Sequence, residues 1–185
     1  NSEKLVGVML LIEEGGIHYD QLARGTFECT RRPRGHLVPQ SLVAYSGNNN
    51  ILSQRTYRVM RIAIHPDYTR KGFGSMLLNA ADKHAAQRSI DSVSTSFGIT
   101  PELMAFWLKN KFQPVKLGSR KDGASGTQSA ILYKAISEPA LALAKELTEQ
   151  FYHKFLVDLL HHHRQLSADN ALAILSSLAF SKAER

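Results

Sequence analysis

The sequence predicts an α/β fold with a helical hairpin at the C-terminal end. Strand-like alternation of apolar residues between positions 57 and 64 predicts the sheet. Helical spacing of apolar residues between 73 and 88 predicts a helix packed on it. Apolar residues recurring every four positions from Leu147 to Leu159 predict the first helix of the hairpin.

The first third of the chain predicts one strand, one short helix and one ambiguous segment. Residues 4–13 form a strand that stops at a pair of glycines. Residues 17–30 are compatible with a short helix, and residues 37–45 fit either a helix or a strand. Between these two segments, residues 31–35 (RRPRG) predict a basic loop, because proline and glycine both interrupt regular structure.

Strands and helices alternate through the middle of the chain. His65-Pro66 ends the strand at 57–64, because proline has no amide hydrogen to donate to a sheet. Thr100 is a good N-cap, and the proline and glutamate that follow it suit the first helical turn. The remaining predicted elements are a helix to about residue 88, a strand at 91–97, a helix from 101 to about 110, and strands at 112–117 and 127–136.

The pattern changes after Ser137, and a second helix of the hairpin starts near Ser167. We therefore divide the chain into a domain at 1–137 and a helical tail at 138–185, for which RNA binding is one interpretation. Since a strand pattern opens almost at the first residue, we expect the chain to begin inside a longer polypeptide.

Composition narrows the class of protein. Of 185 residues, 43% are hydrophobic and 21% charged, which is typical of a globular protein with a substantial core. No apolar run approaches the roughly 20 residues needed to cross a bilayer, and no signal peptide opens the chain. These observations predict a cytoplasmic protein without a membrane partner.

The formal net charge of +7 favours polyanionic partners, such as nucleic acid or a phosphorylated cofactor. The single cysteine, Cys29, excludes an internal disulfide and indicates a reducing compartment. We interpret it as a half-buried thiol rather than a nucleophile. The run His161-His162-His163 does not predict a metal site, since consecutive helical side chains point about 100° apart and cannot converge on one ion.

The segment that carries chemistry runs from Arg61 to Ser75 (RIAIHPDYTRKGFGS) and combines a strand, a glycine-containing loop and a helix. Backbone amides of such a loop, together with the positive end of the helix, bind a pyrophosphate. Gly72 and Gly74 would keep side chains away from the phosphates, and Arg70 and Lys71 would add positive charge. The alternative interpretation is a plain strand-to-helix turn.

The spacing resembles the Q/R-x-x-G-x-G/A signature of the GNAT superfamily of N-acetyltransferases, with Thr69 in place of Gln or Arg. The hydroxyl and amide of Thr69 could still meet a phosphate. Four segments in one order narrow the resemblance to the tRNA(Met) cytidine acetyltransferase family over residues 4–136. They are RPRGHLV at 32–38, RIAIHP at 61–66, STSFG at 94–98, and Glu102 with Phe106-Trp107.

The resemblance implies a GNAT-like fold, with a mixed central sheet flanked by helices. It also implies an enzyme that transfers an acetyl group from acetyl-CoA to the exocyclic amine of the wobble cytidine of elongator tRNA(Met), by direct attack in a ternary complex. It implies an upstream ATPase/helicase-like module, which alone would use ATP and Mg. Lys109 replaces an arginine, and Lys111 a glycine, of a relative. The implied acetyl-CoA contacts are Ile62, Ala63, Ile64, Thr69, Arg70, Lys71, Gly72, Phe73, Gly74, Ser75, Glu102 and Lys109.

Glu102 and His65 are the candidates for accepting the proton of the amine, and both also have structural interpretations: a helix-end charge and a packed imidazole. Arg31, Arg32 and Arg34 are the candidates for RNA contact, against a solvated surface run. Two other functions stay open. One is a GNAT enzyme acting on a protein or small-molecule amine; the other is an inactive module that binds acyl-CoA or RNA.

Overall fold

The computed structural model describes residues 4–17, 24, 25, 28, 30, 34–121, 123 and 126–183, with backbone alone for 178–183. Within these residues, one five-stranded sheet is surrounded by six α-helices. In chain order the elements are β1 (Gly7–Gly15), α1 (Leu37–Ser46), α2 (Asn50–Ser53), β2 (Arg55–Ile64), α3 (Phe73–Gln87), β3 (Ser92–Gly98), α4 (Pro101–Lys109), β4 (Gln113–Lys121), β5 (Gln128–Ala135), α5 (Glu138–His161) and α6 (Ala168–Ala183).

The sheet has the strand order β1-β2-β3-β5-β4. Strands β2 and β3 are parallel, whereas the other neighbours are antiparallel. Because β5 runs against both β3 and β4, strands β2, β3 and β4 share one direction. Their last residues, Ile64, Gly98 and Lys121, therefore lie along one edge, which we call the upper edge; the opposite edge is the lower edge.

Apolar residues fill both faces of the sheet. On β5, Ala130 and Leu132 belong to one buried cluster, and Ile131 and Tyr133 to the other, as strand alternation requires. The first cluster includes side chains of α3, α4 and α6, and the second includes those of α1 and the first half of α5. The predicted mixed sheet with flanking helices is thus confirmed.

The structure resolves the ambiguous segment at 37–45 as the helix α1 and adds α2, which the sequence did not predict. Four residues are too short to show helical periodicity, so α2 carries no sequence signal. The strands differ from the predicted bounds by one to four residues. Most of the helix predicted at 17–30 lies outside the described residues.

The two tail helices share the core of the sheet. Phe151 and Phe155 of α5 are buried and stacked, with ring centroids 5.6 Å apart. The Tyr152 hydroxyl lies 2.6 Å from Ser177 Oγ on α6. Asn170 Nδ2 of α6 donates to the carbonyl of Ile99, the residue after β3, at 3.4 Å. The tail therefore supports the sheet at its upper edge.

Helix α4 ends in a Schellman motif, in which Phe112 N–H donates to Trp107 O at 3.1 Å and Lys111 N–H to Leu108 O at 2.9 Å. This ending requires a left-handed residue, and Lys111 has φ 67°. A side chain makes that conformation costly, which explains why glycine is favoured there.

Replacing Lys111 by glycine should stabilise the chain by about 0.5–1 kcal/mol, since glycine removes the left-handed strain but adds freedom to the unfolded chain. The free energy of unfolding in urea measures the effect. Lys83→Gly, in the interior of α3, should instead destabilise by about 1 kcal/mol. Equal destabilisation by both changes would show that the left-handed conformation is not costly.

No helix in the described ranges is long and apolar enough to cross a membrane.

Candidate active site

Strands β2 and β3 separate before the upper edge. Their pairing runs from Thr56 opposite Ser92 to Val59 opposite Thr95 and ends there. At the same level Met60 is an extra residue of β2, because Leu10 pairs with Arg61 but Leu11 pairs with Val59. The bulge bends β2. Beyond it, the backbones of residues 60–64 and 96–98 border an opening between β2 and β3, which we call the split.

Backbone groups of β2 point into the split. The N–H of His65 donates to Val6 O at 2.8 Å and therefore faces β1. Since successive peptide groups of a strand point to opposite sides, the N–H groups of Ile62 and Ile64 face the split and that of Ala63 faces β1. Ile62 and Ile64 are thus the members of the predicted trio that offer amides to a ligand in the split.

The loop after β2 forms a concave cluster of amides at the start of α3. Arg70 and Gly72 have φ 60° and 87°, and Gly72 is the N-cap of α3. Alternating left-handed residues turn successive N–H groups to one side, and the first turn of a helix leaves its amides without intrahelical acceptors. A Cβ atom on Gly72 would meet nothing within 4 Å, so the concavity is open there.

Thr69 does not direct its hydrogen-bond donors into this cluster. Its N–H and its hydroxyl both donate to Pro66 O, at 3.2 and 2.9 Å, and close the one-turn 3-10 helix Pro66–Tyr68. The hydroxyl retains only its lone pairs, which repel a phosphate. In this geometry both donors of Thr69 are directed to Pro66 O, and a contact between Thr69 and a phosphate stays a prediction.

The two basic side chains of the loop are exposed. Lys71 Nζ donates to Asp67 O at 2.8 Å and lies 5.1 Å from the centre of the Tyr68 ring. The Tyr68 ring also makes an edge contact with Phe73, at 5.9 Å between centroids. These contacts hold Lys71 beside the loop, where it contributes positive charge to the amide cluster.

Gly74 has a packing role. A Cβ atom there would lie 3.1 and 3.2 Å from two ring carbons of Phe106 and 4.0 Å from Cγ1 of Ile64. The bare backbone lets α4 approach α3 where β2 ends. Phe106 is half-buried at this junction, whereas its neighbour Trp107 is buried in the core.

Glu102, Phe106 and Lys109 share one face of α4, because they are spaced four and three residues apart. Phe106 contacts Gly74, so this face is directed towards the glycine loop. Both charged residues are exposed, and Glu102 makes no hydrogen bond or ion pair with any residue that the structure describes. The helix itself begins as predicted, with Thr100 Oγ1 accepting from Leu103 N–H at 3.3 Å.

His65 is engaged as an acceptor. Its Nδ1 accepts the N–H of Asp67 at 3.3 Å and lies 3.6 Å from Asp67 Oδ2. Of the two predicted proton acceptors, Glu102 is the one on the α4 face that is directed towards the glycine loop.

The described end of the basic loop, residues 34 and 35, lies at the lower edge, away from the split. His36 Nδ1 accepts the N–H of Gly15 at 2.9 Å, and Gly15 pairs with Arg55 at the start of β2. The nine residue steps from Arg55 to Ile64 span ~30 Å. Arg34 is exposed beside His36, while Arg31 and Arg32 lie outside the described residues. The structure thus does not bring Arg34 to the glycine loop.

Among the described residues, no group of three or more histidine, cysteine or acidic side chains is arranged to hold a metal ion.

The chain matches a family model described as GNAT acetyltransferase 2 over residues 2–91 and 76–137. A solved structure of Arabidopsis thaliana NAA60 in complex with acetyl-CoA has a similar fold, with a TM-score of 0.50 at 11% identity, covering 73% of this chain and 68% of that one. This likeness concerns the fold alone.

Curated relatives give a closer comparison. The chain is 40% identical over 144 residues to a protein named tRNA(Met) cytidine acetyltransferase TmcA from Pectobacterium atrosepticum, covering 78% of this chain and 20% of the relative. It is 33% identical over 177 residues to the protein of the same name from Pyrococcus furiosus, covering 94% and 21%. The chain spans about a fifth of the length of these relatives. The match over most of its length shows that this chain belongs to the GNAT acetyltransferase 2 family.

Proposed function

We propose that this chain transfers an acetyl group from acetyl-CoA to the exocyclic amine of a cytidine in tRNA(Met), the wobble cytidine of the elongator tRNA. The observation that carries the proposal is the split between β2 and β3, which opens beside the amide cluster at the start of α3. A strand edge with free amides fits an extended amide-containing arm, and the amide cluster fits a diphosphate. Acetyl-CoA has both parts. The names of the relatives suggest the acceptor.

The geometry suggests a role for each group. The N–H of Ile64 faces the split and is our candidate for stabilising the oxyanion of the tetrahedral intermediate, a contribution of about 3 kcal/mol for such a donor. The cytidine amine is conjugated with its ring and barely basic, so it loses its proton as the intermediate forms. Glu102 is our candidate acceptor for that proton. Transfer is direct in a ternary complex, with no covalent acyl-enzyme.

The small share of the relatives that this chain covers supports a further part of the proposal. Because the chain corresponds to a fifth of the relatives, we propose that it works with an upstream ATPase/helicase-like module, which would bind ATP and Mg. Acetyl transfer to the isolated tRNA should then be slow for this chain alone.

The test is a calorimetric titration with acetyl-CoA, followed by acetylation of a purified tRNA pool with radiolabelled acetyl-CoA. Label mapped to the wobble cytidine of elongator tRNA(Met) is the expected result. Label on a protein or small amine would support another GNAT substrate class. Binding of acetyl-CoA without transfer to any acceptor, even with the upstream module present, would indicate an inactive binding module.

Replacing Glu102 by glutamine should slow single-turnover acetylation by about 100-fold or more, the usual contribution of general base catalysis. Glu138→Gln is the matched control, because Glu138 also lies in the first turn of a helix, after the N-cap Ser137. If Glu102 only stabilises the helix end, both changes would cost about 0.3–1 kcal/mol of stability and leave the rate unchanged. A normal rate for Glu102→Gln excludes this residue as the base.

A further inference from the structure

A basic pocket lies at the upper edge of the sheet, where the end of β4 meets the turn between α5 and α6. It encloses about 380 Å³, and its charged or titratable lining consists of Arg120, Lys121, His161, His162 and Arg164. No acidic side chain belongs to the described lining. The nearest described carboxylate in contact with it is that of Asp158, 3.9 Å from His162 Nε2.

The turn that forms one wall of the pocket is held in place by His163. This side chain is 5% exposed, and its ring packs against Phe155 at 5.9 Å between centroids. Burial lowers the pKa of His163, which keeps the ring neutral. Asp158 O accepts the N–H groups of both His162 and His163, at 2.7 and 2.9 Å. One histidine of the run thus anchors the turn while the other two line the pocket.

The basic side chains of the lining are exposed. Arg164 Nε donates to Leu160 O at 2.9 Å, which leaves the terminal nitrogens of the guanidinium free for an anion. Lys121 pairs with Gln128 on β5, so the end of β4 is fixed in the sheet. The pocket therefore presents three permanent positive charges and two imidazoles, all hydrogen-bond donors, in a concave surface.

Donors of this kind, exposed on a lining that contains no apolar residue, fit phosphate groups of a polynucleotide backbone. The position agrees with that ligand. β3, which borders the split, and β4 are two strand spacings apart, so the end of β4 lies ~10 Å from the split along the same edge. Arg34, in contrast, is at the lower edge. A nucleic acid strand that delivers a base to the split would pass the pocket.

We propose that the basic pocket binds backbone phosphates of the RNA acceptor and holds the strand beside the acetyl-transfer site. The inference rests on the proposed function for the identity of the polyanion. It assigns the phosphate contact to the end of β4 and the α5–α6 turn.

The experiment compares two triple variants of this chain that lose the same charge. Arg120→Ala/Lys121→Ala/Arg164→Ala removes the pocket cations. Lys83→Ala/Arg88→Ala/Lys145→Ala removes exposed cations from α3, from its C-cap and from the first part of α5, towards the lower edge. Fluorescence anisotropy measures binding of an unmodified elongator tRNA(Met) transcript at a series of salt concentrations. Thermal unfolding checks that both variants are folded.

In a plot of log K against log salt, the slope is negative. The pocket variant should reduce the magnitude of this slope by roughly 2, because each lost phosphate contact removes 0.7–0.9. The control variant should keep most of the slope. Equal slopes for the two variants would overturn the proposal. It would also be overturned if the unsubstituted chain did not bind the transcript, or if inorganic phosphate displaced the transcript at matched ionic strength. Titration with acetyl-CoA on the same preparations tests the acetyl-transfer site independently, so the two failures are distinguishable.

Discussion

Replacing Gly72 by valine should weaken acetyl-CoA binding by about 100-fold, a loss equal to two charge-assisted hydrogen bonds to phosphate. Gly72 has φ 87°, which a β-branched residue does not adopt without strain, and space is open where its Cβ would stand. The valine side chain would therefore fill the concavity in front of the amides or move the loop away from its left-handed geometry. Either outcome removes donors from the diphosphate. Isothermal titration with acetyl-CoA gives the affinity.

Gly35→Val is the matched control for this change. Gly35 has φ 82°, and a Cβ atom there would meet none of the described atoms within 4 Å. Both variants carry a similar backbone penalty, about 1–2 kcal/mol for a left-handed residue, but Gly35 lies at the lower edge. If Gly35→Val keeps the wild-type affinity for acetyl-CoA and Gly72→Val loses it, the effect belongs to the glycine loop before α3. Unchanged affinity in Gly72→Val would remove the loop from the binding site.

Local patterns predicted the parts of the fold that depend on neighbours in sequence. Alternation located β2, and the Thr-Pro-Glu start of α4 fixed the first residue of that helix. The four-residue steps of the tail identified the buried residues of α5, among them Phe151 and Phe155. These features are predictable because each depends on a single element and on which of its faces is apolar.

The split was not predictable, because it depends on where two strands that are distant in sequence stop pairing. The bulge at Met60 is a two-against-one pairing with β1, and no residue type marks it. The pocket likewise joins β4 to a turn some 40 residues later. The sequence offered RNA binding for the tail only as one interpretation and named no residue there, whereas the compact run of arginines gave named RNA candidates, of which Arg34 lies at the other edge. Charge density along the chain does not reveal which charges meet in space.

Removing the Glu14 carboxylate should be the most destabilising single change among the charged residues considered. Glu14 is completely buried at the end of β1. Its Oε1 accepts from Arg58 Nε at 2.6 Å, and its Oε2 accepts from Val38 N–H, at the start of α1, at 2.8 Å. One carboxylate therefore joins β1, β2 and the first turn of α1, whose own N-cap residue His36 makes no side-chain cap.

We expect Glu14→Ala to lower the free energy of unfolding by about 3 kcal/mol or more, since it leaves the largely buried Arg58 without a counter-charge and a helix amide without an acceptor. Glu13→Ala is the control from the adjacent position. Glu13 Oε1 also pairs with an arginine Nε, that of Arg55 at 2.8 Å, but both side chains are substantially exposed. Solvent screens such a pair, so its loss should change the stability far less.

Urea unfolding of the two variants and of Glu14→Ala/Arg58→Ala completes the comparison. In the double variant the orphaned charge is gone, and the loss relative to the single change at Glu14 should shrink rather than grow, because the two groups are coupled. The acetyl-CoA affinity of the folded protein should stay unchanged in all three variants, since Glu14 lies at the lower edge, away from the split. Additive losses in the double variant would mean that burial of Glu14, rather than its pairing with Arg58, determines its contribution.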